Sequence, residues 1–180
     1  MLHAEVFARS GLRAGSTLDP ETRARLVGRS DRVRARVQAL RLLSRAAQTR
    51  RGLARKLAAR GFPAAAIRYA LLRMTELGYL DDRVFADSWV RSRMSSGKDG
   101  GTALYRGLLA RGVPRPVAEE AVSDAYSFEE EIRNGSRLVK GLARAAAIRK
   151  LAGRGFRSRA IAAVIRDIPR TAREQPEDET

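Results

Sequence analysis

The chain has 180 residues, with 36 Lys+Arg against 20 Asp+Glu for a formal net charge of +16, and it is 44% hydrophobic but only 6% aromatic. It has no cysteine and a single histidine, His3, which excludes disulfides, thiolate catalysis and Cys-ligated zinc and leaves no material for a His-based triad or metal site. No apolar run reaches membrane-span length and the N-terminus lacks a signal-peptide pattern, so a cytoplasmic protein without membrane contact is expected, and its positive excess suits a polyanionic partner: DNA, RNA or an acidic protein surface.

Residues 1–30 show weak periodicity and the breakers Gly11, Gly15, Pro20 and Gly28. They read as a flexible arm with at most a short helix after Asp19-Pro20. Its arginines (Arg9, Arg13, Arg23, Arg25, Arg29) could touch phosphate, but the favoured reading is a solvated tail. The first regular helix is expected from Asp31, with Val33, Val37, Leu40, Leu43 and Ala47 on one face and Arg32, Arg34, Arg36 and Arg41 on the rest. Thr49 is placed to cap a second helix carrying Leu53 and Leu57, four apart and so on one face. Arg60-Gly61 stops it, because glycine accepts the left-handed conformation of a helix end. Pro63 suits the first turn of a third helix, in which Ile67, Ala70, Leu71, Met74 and Leu77 follow at helical spacing until Gly78. Helices over 31–47, 50–60 and 63–77 make a first unit, 31–80.

A second unit, 81–126, opens with Asp81 or Asp82 as cap and Phe85 and Trp89 as the buried pair, continued by Val90 and Met94. Arg91 and Arg93 end that helix, where positive charge complements the dipole. Ser95 to Gly101 reads as the most flexible internal segment, after which Thr102 caps a Leu104–Leu108 helix and Pro114 and Pro116 open another. A third unit, 127–168, begins with the Ser127–Glu130 capping box. Its first helix is expected to bury Phe128, Ile132, Val139 and Leu142, with an interruption at Asn134-Gly135, and helices over about 145–153 and 157–167 follow. Residues 169–180 read as a disordered acidic tail containing Glu174, Glu177, Asp178 and Glu179.

A repeat ties these elements together. Leu-x3-Leu-x2-Arg-Gly-apolar occurs at Leu53, Leu57, Arg60-Gly61-Phe62, again at Leu104, Leu108, Arg111-Gly112-Val113, and in weaker form at Ala147, Leu151, Arg154-Gly155-Phe156. The glycines lie 51 and 43 residues apart, a period that suits a three-helix unit. The fold class is therefore all-α, with three tandem three-helix units. RGFP before an Ile- and Leu-rich helix, followed by ELGYLDD, Phe-Ala and RSR, resembles the RecX family of bacterial RecA regulators over roughly residues 33–168. The resemblance implies an elongated, curved array and a non-enzymatic, cofactor-free monomer that binds RecA filaments, usually inhibiting RecA in recombination and the SOS response.

The candidate contact residues are cations. Arg50, Arg51, Arg55, Lys56 and Arg60 flank one helix, and Arg91, Arg93, Lys98 and Arg106 surround the central loop; together they suit RecA–DNA or nonspecific binding of single- or double-stranded DNA. Arg91, Arg93, Gly97 and Lys98 also match the family's RSR…GK pattern, although Asp99 and two glycines stand behind the lysine here. Gly61, Phe62, Gly78, Tyr79, Leu80, Asp81 and Asp82 read as structural. Ser96-Gly97-Lys98 is not a nucleotide loop, because Ser92 and Asp99 replace the glycine and hydroxyl residue that such a loop requires. A DNA-reading helix-turn-helix is disfavoured, since no helix clusters the Asn, Gln and Arg that read base edges. The alternative to a RecA regulator is a nonspecific nucleic-acid-binding protein acting without RecA.

Overall fold

Asp19 and Pro20, which the sequence suggests as the start of a short helix at most, begin the longest helix among the described residues. The computed structural model describes residues 3–13 and 17–169, and among them ten α-helices and no strand. These are α1 (Ala4–Ala8), α2 (Pro20–Leu43), α3 (Arg50–Ala58), α4 (Ala64–Glu76), α5 (Asp82–Met94), α6 (Gly101–Ala110), α7 (Arg115–Ala125), α8 (Phe128–Leu138), α9 (Arg144–Gly153) and α10 (Ser158–Arg166). The described residues divide into two compact units, those within 3–85 with 111–113 and those within 86–110 with 114–169. The acidic tail expected over 169–180 lies outside the described residues apart from Pro169.

In the first unit, α2 corrects the expected helix start. The Asp19 carboxylate accepts from Thr22 N at 2.9 Å, and this bond holds its pKa below the usual carboxylate value. Pro20 takes the first helical position, where its missing N–H leaves nothing unpaired. Asp31 then sits inside the helix, not at its cap, and pairs with Arg34 one turn on. The expected flexible arm is likewise corrected at its ends. Residues 4–8 are helical, Val6 is buried, and His3 N donates to the buried Ser30 Oγ at 2.7 Å, fastening α1 to α2.

The core between α2, α3 and α4 is built from Ala35, Ala39, Leu42, Leu53, Leu57, Ala66, Ala70, Met74 and Leu80. Alanines face each other where α2 and α4 pack, so the two backbones approach closely. The large residues that periodicity singled out flank this line: Val33 and Val37 are half-buried, Leu40 and Leu77 exposed. The turns agree with the sequence. Thr49 Oγ1 accepts from Gly52 N to cap α3. Gly61 and Gly78 take φ of +77° and +72°, the left-handed conformation available cheaply to glycine. Phe62 packs partly on the core and Leu80 is buried, but Tyr79, from the same motif, is 59% exposed.

The second unit keeps the repeat register. Leu104, Leu108, Ala147 and Leu151 are fully buried, as Leu53 and Leu57 are in the first. In α5 the deepest residues are Ala86 and Val90; the expected pair Phe85 and Trp89 is half-buried. Gly107 explains the place of Trp89, because a Cβ there would come 2.4 Å from the indole ring. The capping box at Ser127 and Glu130 forms as expected. Asn134-Gly135 does not interrupt α8; both lie on its buried face, and the missing side chain of Gly135 admits Val164 and Phe156.

The segment expected to be most flexible is instead anchored at its glycines. Gly100 N donates to Arg154 O, Gly101 N to Glu131 Oε1 and Thr102 N to Gly155 O, all at 2.9–3.0 Å. A Cβ on Gly100 would lie 2.3 Å from the backbone of Phe156, so the Gly-Gly pair permits close backbone approach. Thr102 is inside α6 and is not its cap. The free N–H groups of the first turn are met by Glu131 and Gly155. The first unit has the same arrangement at α3: Arg50 N donates to Asp82 Oδ1 at 2.8 Å, and Thr49 Oγ1 donates to Arg111 O at 2.7 Å. In both, an acid and an Arg-Gly turn from later in the chain close the N-terminal end of a repeat's middle helix.

Candidate partner-binding surface

The cations of α3 stand on the solvent side of a helix whose opposite side is fixed by Leu53 and Leu57. Arg50, Arg51, Arg55, Lys56 and Arg60 are all exposed. Arg50 Nη1 donates to Thr75 Oγ1 at 3.0 Å, Lys56 Nζ to Gln48 Oε1 at 2.8 Å, and Arg60 Nη1 to Lys56 O at 2.8 Å. These acceptors are neutral, so they orient the side chains and leave their charge uncompensated. Arg51 packs along the Arg111–Val113 turn, and a Cβ on Gly112 would approach its side chain to 2.7 Å. Of the two candidate caps, Asp81 receives Arg83 N and Val84 N and starts α5, while Asp82 serves α3.

The central group is less uniform. Arg91, Lys98 and Arg106 are exposed. Arg93 is different: its Nε donates to Asp99 Oδ2 at 2.8 Å, and the Asp99 side chain is only 10% exposed. Its guanidinium also lies 6.0 Å from the centre of the Trp89 ring. Asp99 thus draws Arg93 into a structural pair, leaving Arg91, Lys98 and Arg106 as the available charges. Lys98 borders a cleft of about 260 Å³ lined also by Ser95, Ser96, Asn134 and Arg137. Arg137, which donates to Asn134 Oδ1, brings a second cation to that cleft from 39 residues further along. No linear spacing signals it.

Two residues matter here that sequence reasoning missed. Glu131 is fully buried; its Oε1 accepts from Gly101 N and Arg157 N, each at 2.9 Å, and its Oε2 from Arg157 Nε. It fixes the start of α6 and thereby the helix that carries Arg106. Tyr126 is also buried; its hydroxyl donates to Asp99 O at 3.2 Å, and burial pushes its pKa above the usual phenol value. Among the described residues, no helix is long and apolar enough to cross a membrane.

This architecture matches known proteins in two consecutive stretches. The first three-helix domain of RecX matches residues 35–74 and the second matches residues 81–122. Over 118 residues the chain is 43% identical to the regulatory protein RecX of Thermus thermophilus, an alignment that spans 66% of this chain and 80% of that protein. The chain belongs to the RecX family. The RecX of Mycolicibacterium vanbaalenii is 36% identical over 118 residues, with 66% of this chain and 63% of that one aligned. The crystal structure of RecX from Lactobacillus salivarius superposes with a TM-score of 0.72 at 22% identity, covering 77% of this chain and 96% of the other. A second crystal structure of regulatory protein RecX gives 0.74 at 19% identity, covering 91% and 85%. At these identities the structures speak for the fold alone. The first RecX domain comprises the C-terminal part of α2 together with α3 and most of α4, and the second comprises α5, α6 and most of α7. The third Arg-Gly turn, at Arg154-Gly155, lies beyond both and repeats the same construction.

Proposed function

We propose that this RecX-family protein binds the RecA filament and inhibits its ATPase, and with it recombination and SOS signalling, acting in the cytoplasm as a monomer and by binding, not catalysis. The observation that carries the reading, beyond family membership, is that each compact unit has its own set of exposed cations. Arg50, Arg51, Arg55, Lys56 and Arg60 belong to the first, and Arg91, Lys98 and Arg106 to the second. A filament presents the same acidic or phosphate surface many times, so two weakly binding sets on one chain gain avidity once the first is engaged. Simultaneous contact with neighbouring protomers opposes the movements that ATP turnover requires.

The test is RecA ATPase on single-stranded DNA with the protein titrated at fixed salt. Inhibition is expected well below one chain per RecA protomer. Inhibition only at amounts that coat the DNA, relieved by adding more DNA, would instead support the alternative of nonspecific nucleic-acid binding without RecA.

A further inference from the structure

A basic groove of the first unit is lined by residues other than those described above. It has a volume of about 670 Å³ and lies between α1, α2 and Tyr69 of α4. Four arginines of α2 line it, Arg25, Arg29, Arg32 and Arg36. Their spacing of four, three and four residues places them on one face of a helix. Such a stripe repels itself, since like charges one turn apart disfavour the helix. Gly28, also on the groove and inside α2, adds to that cost. A Cβ there would meet no atom within 4 Å, so this glycine leaves the helix backbone open on the groove side where a larger residue would fit. Both features oppose the helix and both favour an anion lying along it.

One anion of the protein already stands there. Glu5 of α1 comes within 3.8 Å of Arg9 and 4.0 Å of Arg36. It is held in place because α1 is fastened by Val6 and by the bond from His3 N to Ser30. A single carboxylate cannot neutralise five arginines. Tyr69 supplies a second kind of contact, with Arg32 lying 5.7 Å from its ring centre. The guanidinium lies over the ring, and aromatic rings and guanidinium planes are the surfaces on which unpaired bases stack.

We infer that this groove binds the phosphodiester chain of a single-stranded nucleic acid, phosphates along the arginine stripe and a base against Tyr69 and Arg32, and that Glu5 competes with the strand for Arg9 and Arg36. A peptide of acidic residues alone could use the charges but offers no ring to stack on Tyr69. The site is independent of RecA and of the cations on α3, α5 and α6, so it is measured without RecA.

The experiment is fluorescence anisotropy of labelled oligothymidine across a salt series, with duplex DNA and polyglutamate as competitors and circular dichroism to verify the fold. Arg25→Gln/Arg29→Gln is expected to lower the slope of log affinity against log salt by about 1.4, near 0.7 per lost phosphate contact on a single strand. Arg29→Gln alone, at an exposed position that leaves the core untouched, lowers it by about 0.7, and Tyr69→Leu weakens oligothymidine with no change of slope. Glu5→Gln tightens binding severalfold at low salt. Unchanged affinity and slope in the folded arginine variants would overturn the site. Equal competition by polyglutamate would overturn the assignment to nucleic acid, and equal competition by duplex DNA would overturn the preference for single strands. Unchanged or weaker binding by Glu5→Gln would overturn its role as competitor.

Discussion

Removal of the Glu131 carboxylate should be among the most destabilising single changes in the second unit. Glu131 has no solvent exposure, and its two oxygens take three donors: Gly101 N, Arg157 N and Arg157 Nε. Glu131→Ala strands two backbone N–H groups and leaves a guanidinium whose Nη2 already has no partner. A buried donor left unpaired costs about 1–3 kcal/mol, and breaking a buried ion pair by deleting one member costs about 3–5 kcal/mol. The terms overlap, and Arg157 can turn its 42%-exposed side chain toward water, so the lower half of that range, about 3–4 kcal/mol, is expected. Glu131→Gln keeps one carbonyl oxygen for Gly101 N and Arg157 N but loses the charge-assisted bond to Nε, at about 1.5–3 kcal/mol. Urea denaturation of the two variants gives the magnitudes. Amide hydrogen exchange at Gly101 and Thr102 gives the location, since loss of Glu131 should free the first turn of α6 before the rest of the unit. A cost below about 1 kcal/mol for Glu131→Ala, or unchanged exchange at Gly101, would refute the reasoning.

Leu57→Ala and Leu108→Ala, at fully buried and equivalent positions of two repeats, should each cost about 2–5 kcal/mol in denaturant unfolding; two near-zero values would break the repeat register. Gly100→Ala should destabilise the second unit and detach the Arg154–Phe156 turn, because its Cβ has only 2.3 Å to the Phe156 backbone; thermal unfolding unchanged from the parent would contradict that packing. Tyr126 should ionise above the usual phenol range in an ultraviolet titration, its pKa being raised above 10.0 chiefly by burial. Since the folded state favours the neutral phenol, the stability Tyr126 contributes is present below the unfolded pKa and is lost as pH rises through the higher folded one. Tyr126→Phe removes that late step, and a folded protein with no phenol step above the usual range would be the contrary result.

What the sequence made legible follows from which residues state their role locally. Thr49, Asp81, Ser127 with Glu130, and the glycines after each middle helix act within a few residues of themselves, and their caps and turns form as read. The middle-helix leucines were equally clear because the motif recurs. The helix faces were less so. Periodicity weighs large apolar residues, whereas α2 and α4 meet through Ala35, Ala39, Ala66 and Ala70, which leave Leu40 and Leu77 outside. Gly100-Gly101 carries the composition of a flexible loop, and only the approach of residues 154–156 reveals it as a packing site. Glu131 follows Glu129 and the capping-box Glu130 and has nothing in its neighbourhood to mark it as the buried one.

The candidate surface shows the same division. Exposure of Arg91, Lys98 and Arg106 follows from their places at a helix end, in a loop and opposite Leu104 and Leu108. The pairing of Arg93 with Asp99 depends on how the chain folds back after Gly97, and Arg137 reaches the Lys98 cleft only through the packing of α8. The arginine stripe of α2 was hidden by an expected boundary near residue 30, which divided Arg25 and Arg29 from Arg32 and Arg36 although their spacing is continuous.

The central claim, that exposed cations hold this protein on a RecA filament, is tested most directly by RecA ATPase inhibition with Arg91→Glu/Lys98→Glu/Arg106→Glu beside Arg93→Glu. None of the three reversed residues contributes to the core, so the triple variant should keep its helicity and cooperative unfolding. Its inhibition of RecA should fall sharply, while Arg93→Glu, which places like charge against Asp99, should mainly lower stability. A folded triple variant that inhibits RecA undiminished would contradict the account and move the contact surface elsewhere, with Arg50, Arg51, Arg55 and Lys56 next to be reversed.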